Sequence, residues 1–283
     1  MTQIFVNLKR FDVPRNMGGV CPKEEPGDWI KWVLDECISM GLGSLEGVEL
    51  VFLLPEGLIL TAVNKLKEYS DEQIRALKIG SQGVFREDVK IGGNFGAFTT
   101  NFPAAAARNM GCSWTIIGHS EERKDKLGII EAFHPEYRQN PDTLNKAITA
   151  VNRLINQEVI CALERGINVL LCVGETAEER GEGPFEEQKP RICQSLKLQL
   201  EMGLQGIDKY KGRSKFVIGY EPVWAIGPGK IPPGSEYISF VSSYIKQVVK
   251  EEFQFDPVVV YGGGLKEENA GMISKIPTIG GGL

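Results

Sequence analysis

Short apolar runs alternate with longer amphipathic stretches along the whole chain, and this alternation restricts the fold more than any other feature of the sequence. The runs read as strands over Ile4–Leu8, Val48–Leu54, Leu77–Ser81, Ser113–Ile117, Asn168–Val173, Lys215–Tyr220 and Pro257–Tyr261. Most lack in/out alternation, as strands covered on both faces do. Between them the spacing predicts helices over Asp28–Met40, Glu56–Tyr69, Asn145–Arg165, Phe185–Met202, Ser235–Glu252 and Lys266–Ser274. Such alternation argues for βαβ units around a parallel sheet, and so for an α/β protein.

No linker or low-complexity tract divides the 283 residues, so residues 1–283 read as one domain. A single α/β barrel commonly has this length. Two segments look like loop insertions, one near 10–27, rich in Pro and Gly, and one near 124–144, a charged excursion. Loops of that length are usually lids or decoration. The net charge of −5 weighs against diffuse binding to nucleic acid or an anionic membrane, so a bound anion must be held by a local site. Six cysteines without a C-x-x-C pair read as free thiols of a reducing compartment. Two histidines exclude a His-rich metal cluster. The charged N-terminal segment lacks a signal-peptide core and no apolar run reaches membrane-spanning length, which points to a cytoplasmic protein.

In a parallel barrel, chemistry collects where strands end. Those ends carry Asn7 and Lys9, then Gly118-His119-Ser120-Glu121, Gly174-Glu175, Glu221 and Gly262-Gly263-Gly264. A cation, an imidazole, a carboxylate base and flexible backbone are what proton abstraction beside a carbonyl requires. Taken singly, each has a plainer reading: Glu221 as an exposed carboxylate, His119 as a structural histidine, Lys9 as a surface lysine, the glycines as turns. Asn7 and Lys9, two apart on a strand, should share one face.

Together, Asn7-Leu8-Lys9, Gly96–Thr99, Ile117–Glu121, Cys172–Glu175, Gly219–Lys230 and Tyr261–Gly263 resemble the triosephosphate isomerase family, in order and from strand 1 to the chain end. The run Tyr220–Lys230 is the most specific. The resemblance implies a (β/α)8 TIM barrel and an isomerase without cofactor or metal. It makes Glu221 the base that shuttles a proton between adjacent carbons. It makes His119, at a helix N-terminus that disfavours its charged form, a neutral hydrogen-bond donor, a known device of that family. Lys9 would stabilise negative charge, with Asn7 beside it. Glu121, as a buried carboxylate near the lysine, and Ser120 would support. Backbone N–H groups of a closing loop (Ile226, Gly227) and of a second turn (Gly263, Gly264) would hold a phosphate. The Phe98-Thr99 loop resembles one through which the family forms homodimers.

The sequence also departs from the family. Arg10-Phe11-Asp12 opens a rebuilt loop after Lys9, and Pro228 replaces a threonine in the closing loop. Ile231-Pro232-Pro233 stiffens its far hinge, Gly264 replaces a serine, and Glu122 replaces an arginine ahead of a retained Arg123. Pro277–Leu283 resembles the approach to strand 8, so strand 8, its Gly-Gly turn and helix 8 are expected to be absent. A second register would make Gly280-Gly281 that turn. The expected reaction interconverts dihydroxyacetone phosphate and glyceraldehyde 3-phosphate through an enediolate. The alternatives are a four-carbon ketose phosphate such as an erythrulose phosphate, or a sugar-phosphate-binding homologue with little catalysis.

Overall fold

The computed structural model describes residues 1–227 and 229–283. Eight parallel strands close into a barrel in sequence order. They are β1 (Thr2–Asn7), β2 (Val48–Leu54), β3 (Leu77–Ser81), β4 (Trp114–Ile117), β5 (Asn168–Val173), β6 (Phe216–Tyr220), β7 (Val258–Tyr261) and β8 (Gly281–Gly282). Around them run α1 (Pro26–Ser39), α2 (Glu56–Leu66), α3 (Asp71–Ile74), α4 (Ala104–Asn109), α5 (Ser120–Phe133), α6 (Pro141–Glu164), α7 (Ala177–Arg180), α8 (Phe185–Gly203), α9 (Ser235–Phe253) and α10 (Glu267–Ile273). Among the described residues no helix is long and apolar enough to cross a membrane.

The lack of alternation in most strands has its cause here, because β2 and β4 to β7 are buried on both faces almost throughout, whereas β1 alternates between buried and part-buried residues. Phe5, Val51, Leu53, Trp114, Ile116, Leu170, Cys172, Val217 and Val260 fill the barrel interior, with Phe5 edge-on to Trp114 at 5.0 Å. Alternate residues such as Phe52, Ile79, Ile117 and Leu171 face the helices and join Ile30, Ile59, Ile155, Leu196 and Ile245 in an outer layer.

Three sequence expectations need correction. Strand 8 is present. Gly281 and Gly282 pair with Gln3 and Ile4 of β1, and Gly282 also with Tyr261 of β7. A Cβ at Gly281 would lie 1.7 Å from the Gln3 carbonyl oxygen, so only glycine can close the barrel here. The run Gly280-Gly281-Gly282 has no apolar pattern because its neighbours leave no room for side chains. Gly280-Gly281 lies in the barrel wall beside β1, not at the mouth. The 124–144 segment is not a loop but is helical through Phe133 and again from Pro141. Asn140 accepts the Asp142 N–H at 2.8 Å to cap the second helix, and Tyr137 is buried between the two. Finally, β1 ends at Asn7, so Lys9 is not a strand residue.

The 10–27 segment is built rather than open. Arg10 pairs with the buried Asp12 at 2.8 Å, Pro14 bridges to Cys21, and α1 begins at Pro26.

Candidate active site

Lys9 follows β1 with φ +43°, a left-handed conformation costing a non-glycine residue about 1–3 kcal/mol. The surroundings impose it. Asn7 Oδ1 accepts the Lys9 N–H at 3.0 Å, and Gln82 Nε2 donates to the Lys9 carbonyl at 2.9 Å and to Asn7 Oδ1 at 3.1 Å. The turn, not strand alternation, therefore aims the lysine. Its Nζ lies 2.5 Å from Glu121 Oε1. The Glu121 side chain is 65% exposed, against the expectation of a buried carboxylate. The hydrogen bond from Lys9, helped by its charge and that of His119, holds the Glu121 pKa below the usual carboxylate range.

His119 occupies the N-cap of α5. Its Nδ1 accepts the Glu121 backbone N–H at 3.3 Å, which in the neutral ring leaves the proton on Nε2. That nitrogen lies 3.1 Å from Glu221 Oε1, and the Ser120 N–H donates to Glu221 Oε2 at 3.1 Å. Glu221, the residue after β6, is only 3% exposed. Gly174 makes room for it, since a Cβ there would lie 1.7 Å from the Glu221 carbonyl oxygen.

The electrostatics of His119 run opposite to the expectation of a disfavoured imidazolium. Burial lowers its pKa most strongly, but the hydrogen bond and charge of Glu221, with the charge of Glu121, outweigh it and raise the net value. A raised folded-state pKa stabilises the protein below the unfolded value of about 6.5 and loses that contribution as pH rises through the folded value. NMR titration of the imidazoles should find His119 titrating above about 6.5 and Glu221→Gln lowering it. A value below 6.5 in the parent chain would mean that burial and the helix terminus prevail. The only other histidine, His134, serves as reference.

Behind Glu221, the Pro222–Gly234 loop starts from a buried anchor. Glu175 Oε1 accepts hydrogen bonds from Trp224 Nε1 at 2.7 Å, Tyr237 Oη at 2.7 Å and Tyr220 Oη at 3.0 Å. Burial raises the Glu175 pKa despite these donors. Arg180 lies over the Trp224 ring at 3.9 Å, a stacked cation. The loop's Ile226 packs over the turn that follows β7. A Cβ at Gly263 would come within 2.9 Å of the Ile226 side chain, and one at Gly264 within 3.4 Å of Pro232. Gly227, Gly263 and Gly264 have φ of +117°, +84° and +108°, conformations that favour glycine. Pro228 lies outside the described residues.

The structure thus brings Lys9, Glu121, His119, Ser120 and Glu221 into one connected set, with Asn7 holding Lys9. It places Ile226, Gly227, Gly263 and Gly264 together at the loop beside Glu221. Gln82 and Tyr237 escaped sequence reasoning. Gln82 had a signal, because it is the first residue after β3. Tyr237 had none, since it sits within the amphipathic pattern of α9.

A family model described as triosephosphate isomerase matches residues 44–283. The triosephosphate isomerase of Chloroherpeton thalassium is 32% identical over 211 residues, 74% of this chain and 69% of that protein. That of Pelodictyon phaeoclathratiforme is 32% identical over 257 residues, 90% of this chain and 84% of that protein. The crystal structure of triosephosphate isomerase from Bartonella henselae superposes with a TM-score of 0.66 at 21% identity, covering 100% of this chain and 91% of that one. At that identity the superposition speaks for the barrel fold alone. The family model and the relatives carry more, and the chain belongs to the triosephosphate isomerase family of isomerase enzymes.

Proposed function

We propose that the protein interconverts dihydroxyacetone phosphate and glyceraldehyde 3-phosphate. The observation that carries this reading is the contact of a buried carboxylate, Glu221, with His119 Nε2 at 3.1 Å. Lys9 reaches the same set through Glu121. A substrate entering there separates the two partners. Glu221 then takes a proton from the carbon beside the carbonyl, and the C–H electron pair moves into the forming enediolate. His119 donates Nε2–H to the oxygen on which charge develops, and Lys9 stabilises that charge. The hydroxyl proton passes from one enediolate oxygen to the other by way of His119 Nε2, and the carboxyl returns the carbon-bound proton to the neighbouring carbon, so no external oxidant or cofactor is consumed. Asn7 orients Lys9, while backbone N–H groups at Ile226, Gly227, Gly263 and Gly264 receive the phosphate without adding positive charge.

The test is an assay of the purified chain with three-carbon and four-carbon ketose phosphates side by side. We expect kcat/KM to favour the three-carbon substrate. A ratio above about ten for the four-carbon one, some 1.4 kcal/mol of differential transition-state binding, would replace this reading with its alternative. Binding of both without turnover would support the sugar-phosphate-binding reading.

A homodimer through the Phe98-Thr99 loop fits the same picture. The base of that loop is pinned by Arg165 to Asp88 and to the Val89 carbonyl, while Ile91 and Phe95 stand fully exposed. Exposed apolar tips on an anchored loop suit burial by a partner copy. A cytoplasmic location agrees with the free thiols.

A further inference from the structure

The peptide groups on either side of Gly118, where β4 hands over to His119, are both held by side chains from the first turns of α5. The Gly118 N–H donates to Glu122 Oε2 at 2.6 Å, and Arg123 Nε donates to the Gly118 carbonyl at 2.8 Å. Arg123 is itself tied to Asn152 Oδ1 at 2.8 Å and to the Cys172 carbonyl at 3.1 Å. Gly118 has φ +77°, and a Cβ on it would lie 2.9 Å from the Cys172 carbonyl oxygen and 3.0 Å from Arg123. The turn is therefore tight, and the exit direction of His119 depends on how it is fastened.

Glu122 is backed by two further charged groups. Lys126 Nζ lies 2.5 Å from Glu122 Oε1 and 2.9 Å from Oε1 of the buried Glu158 on α6. Burial and the adjacent Glu122 raise the Glu158 pKa. Burial alone would raise Glu122 as well. Hydrogen bonds from Glu158, Lys126 and the Gly118 N–H, with the Lys126 charge, prevail and hold it ionised. An ionised carboxylate makes the stronger acceptor for a backbone N–H.

We propose that Glu122, fixed by Lys126 and Glu158, is a positioning residue for His119, gripping the Gly118 N–H so that the imidazole meets Glu221 and the substrate oxygen in line. The proposal rests on the reading of His119 as the hydrogen-bond donor to substrate.

The test uses the full chain. Glu122→Leu removes the acceptor but leaves Lys126 paired with Glu158. It should lower kcat about 10- to 100-fold, the scale of an ångström of misplacement, with little change in KM. Glu122→Gln keeps an acceptor oxygen and should recover most of that loss. Should Glu122→Leu not fold, Glu122→Asp keeps the charge but falls a methylene short of Gly118, and should show the same kcat-specific loss. The His119 imidazole resonances should shift in the Leu or Asp variant, with those of His134 unmoved. Wild-type kcat in the Leu and Asp variants, equal impairment of Gln and Leu, or an unshifted His119 signal would each overturn the proposal. A parent chain without isomerase activity would instead sink the reading of His119, and the imidazole signal alone would then decide the positioning.

Discussion

Glu221→Asp is expected to lower kcat about 100-fold while leaving KM within a few-fold, because one lost methylene withdraws the carboxylate by an ångström or more from the carbon it must deprotonate. The fold should tolerate the change. The backbone at 221 is held independently, with its N–H on the Val173 carbonyl at 2.9 Å. The shorter side chain also moves away from His119 Nε2, now 3.1 Å from Glu221 Oε1, so the imidazole pKa should fall in the same variant. Steady-state kinetics and the NMR titration together make the check. Unchanged turnover would remove Glu221 as the base, and lost turnover with an unmoved imidazole pKa would mean that the contact with His119 is incidental.

The second large effect is expected at Lys9. Lys9→Ala should reduce kcat/KM about 100- to 1,000-fold, the usual scale for removing a group aimed at developing negative charge. It should also weaken binding of a phosphate-bearing inhibitor. The φ of +43° permits a sharper version of the experiment. Lys9→Gly relieves the left-handed strain and should raise thermal stability, by about 1 kcal/mol, while being as inactive as the alanine variant. Kinetics and thermal unfolding then separate the lysine's charge from the backbone that presents it. A glycine variant that keeps its activity would show that the turn matters and the ammonium does not. Normal inhibitor binding by the alanine variant would exclude Lys9 from the site.

The helices over α2, α8 and α9 and most strand bounds were legible because apolar periodicity reports burial directly, and burial made these elements. The candidate groups Lys9, His119 and Glu221 were legible because each sits at a strand end, where a parallel barrel exposes its chemistry. Strand 8 was not. Its two residues are glycines required by the closeness of Gln3 and Leu265, a packing constraint with no trace in local hydrophobicity. The helices that run into 124–144 from either side were hidden by charge, since α5 exposes much of its surface and Tyr137 marks the buried corner between them.

What the amino-acid order by itself determined is the alternation of strand and helix, and with it the face of the barrel on which the polar residues gather. The direction of the His119 pKa shift, the left-handed aim of Lys9, the exposure of Glu121 and the grip of Glu122 on Gly118 were decided only in three dimensions. Each involves a group far away in sequence: Glu221 beside His119, Gln82 beside Lys9, Lys9 beside Glu121, and Glu158 behind the local contact of Glu122 with Gly118. Hydrogen bonds and charge interactions act over a few ångströms of space whatever the sequence separation, so no local pattern encodes them.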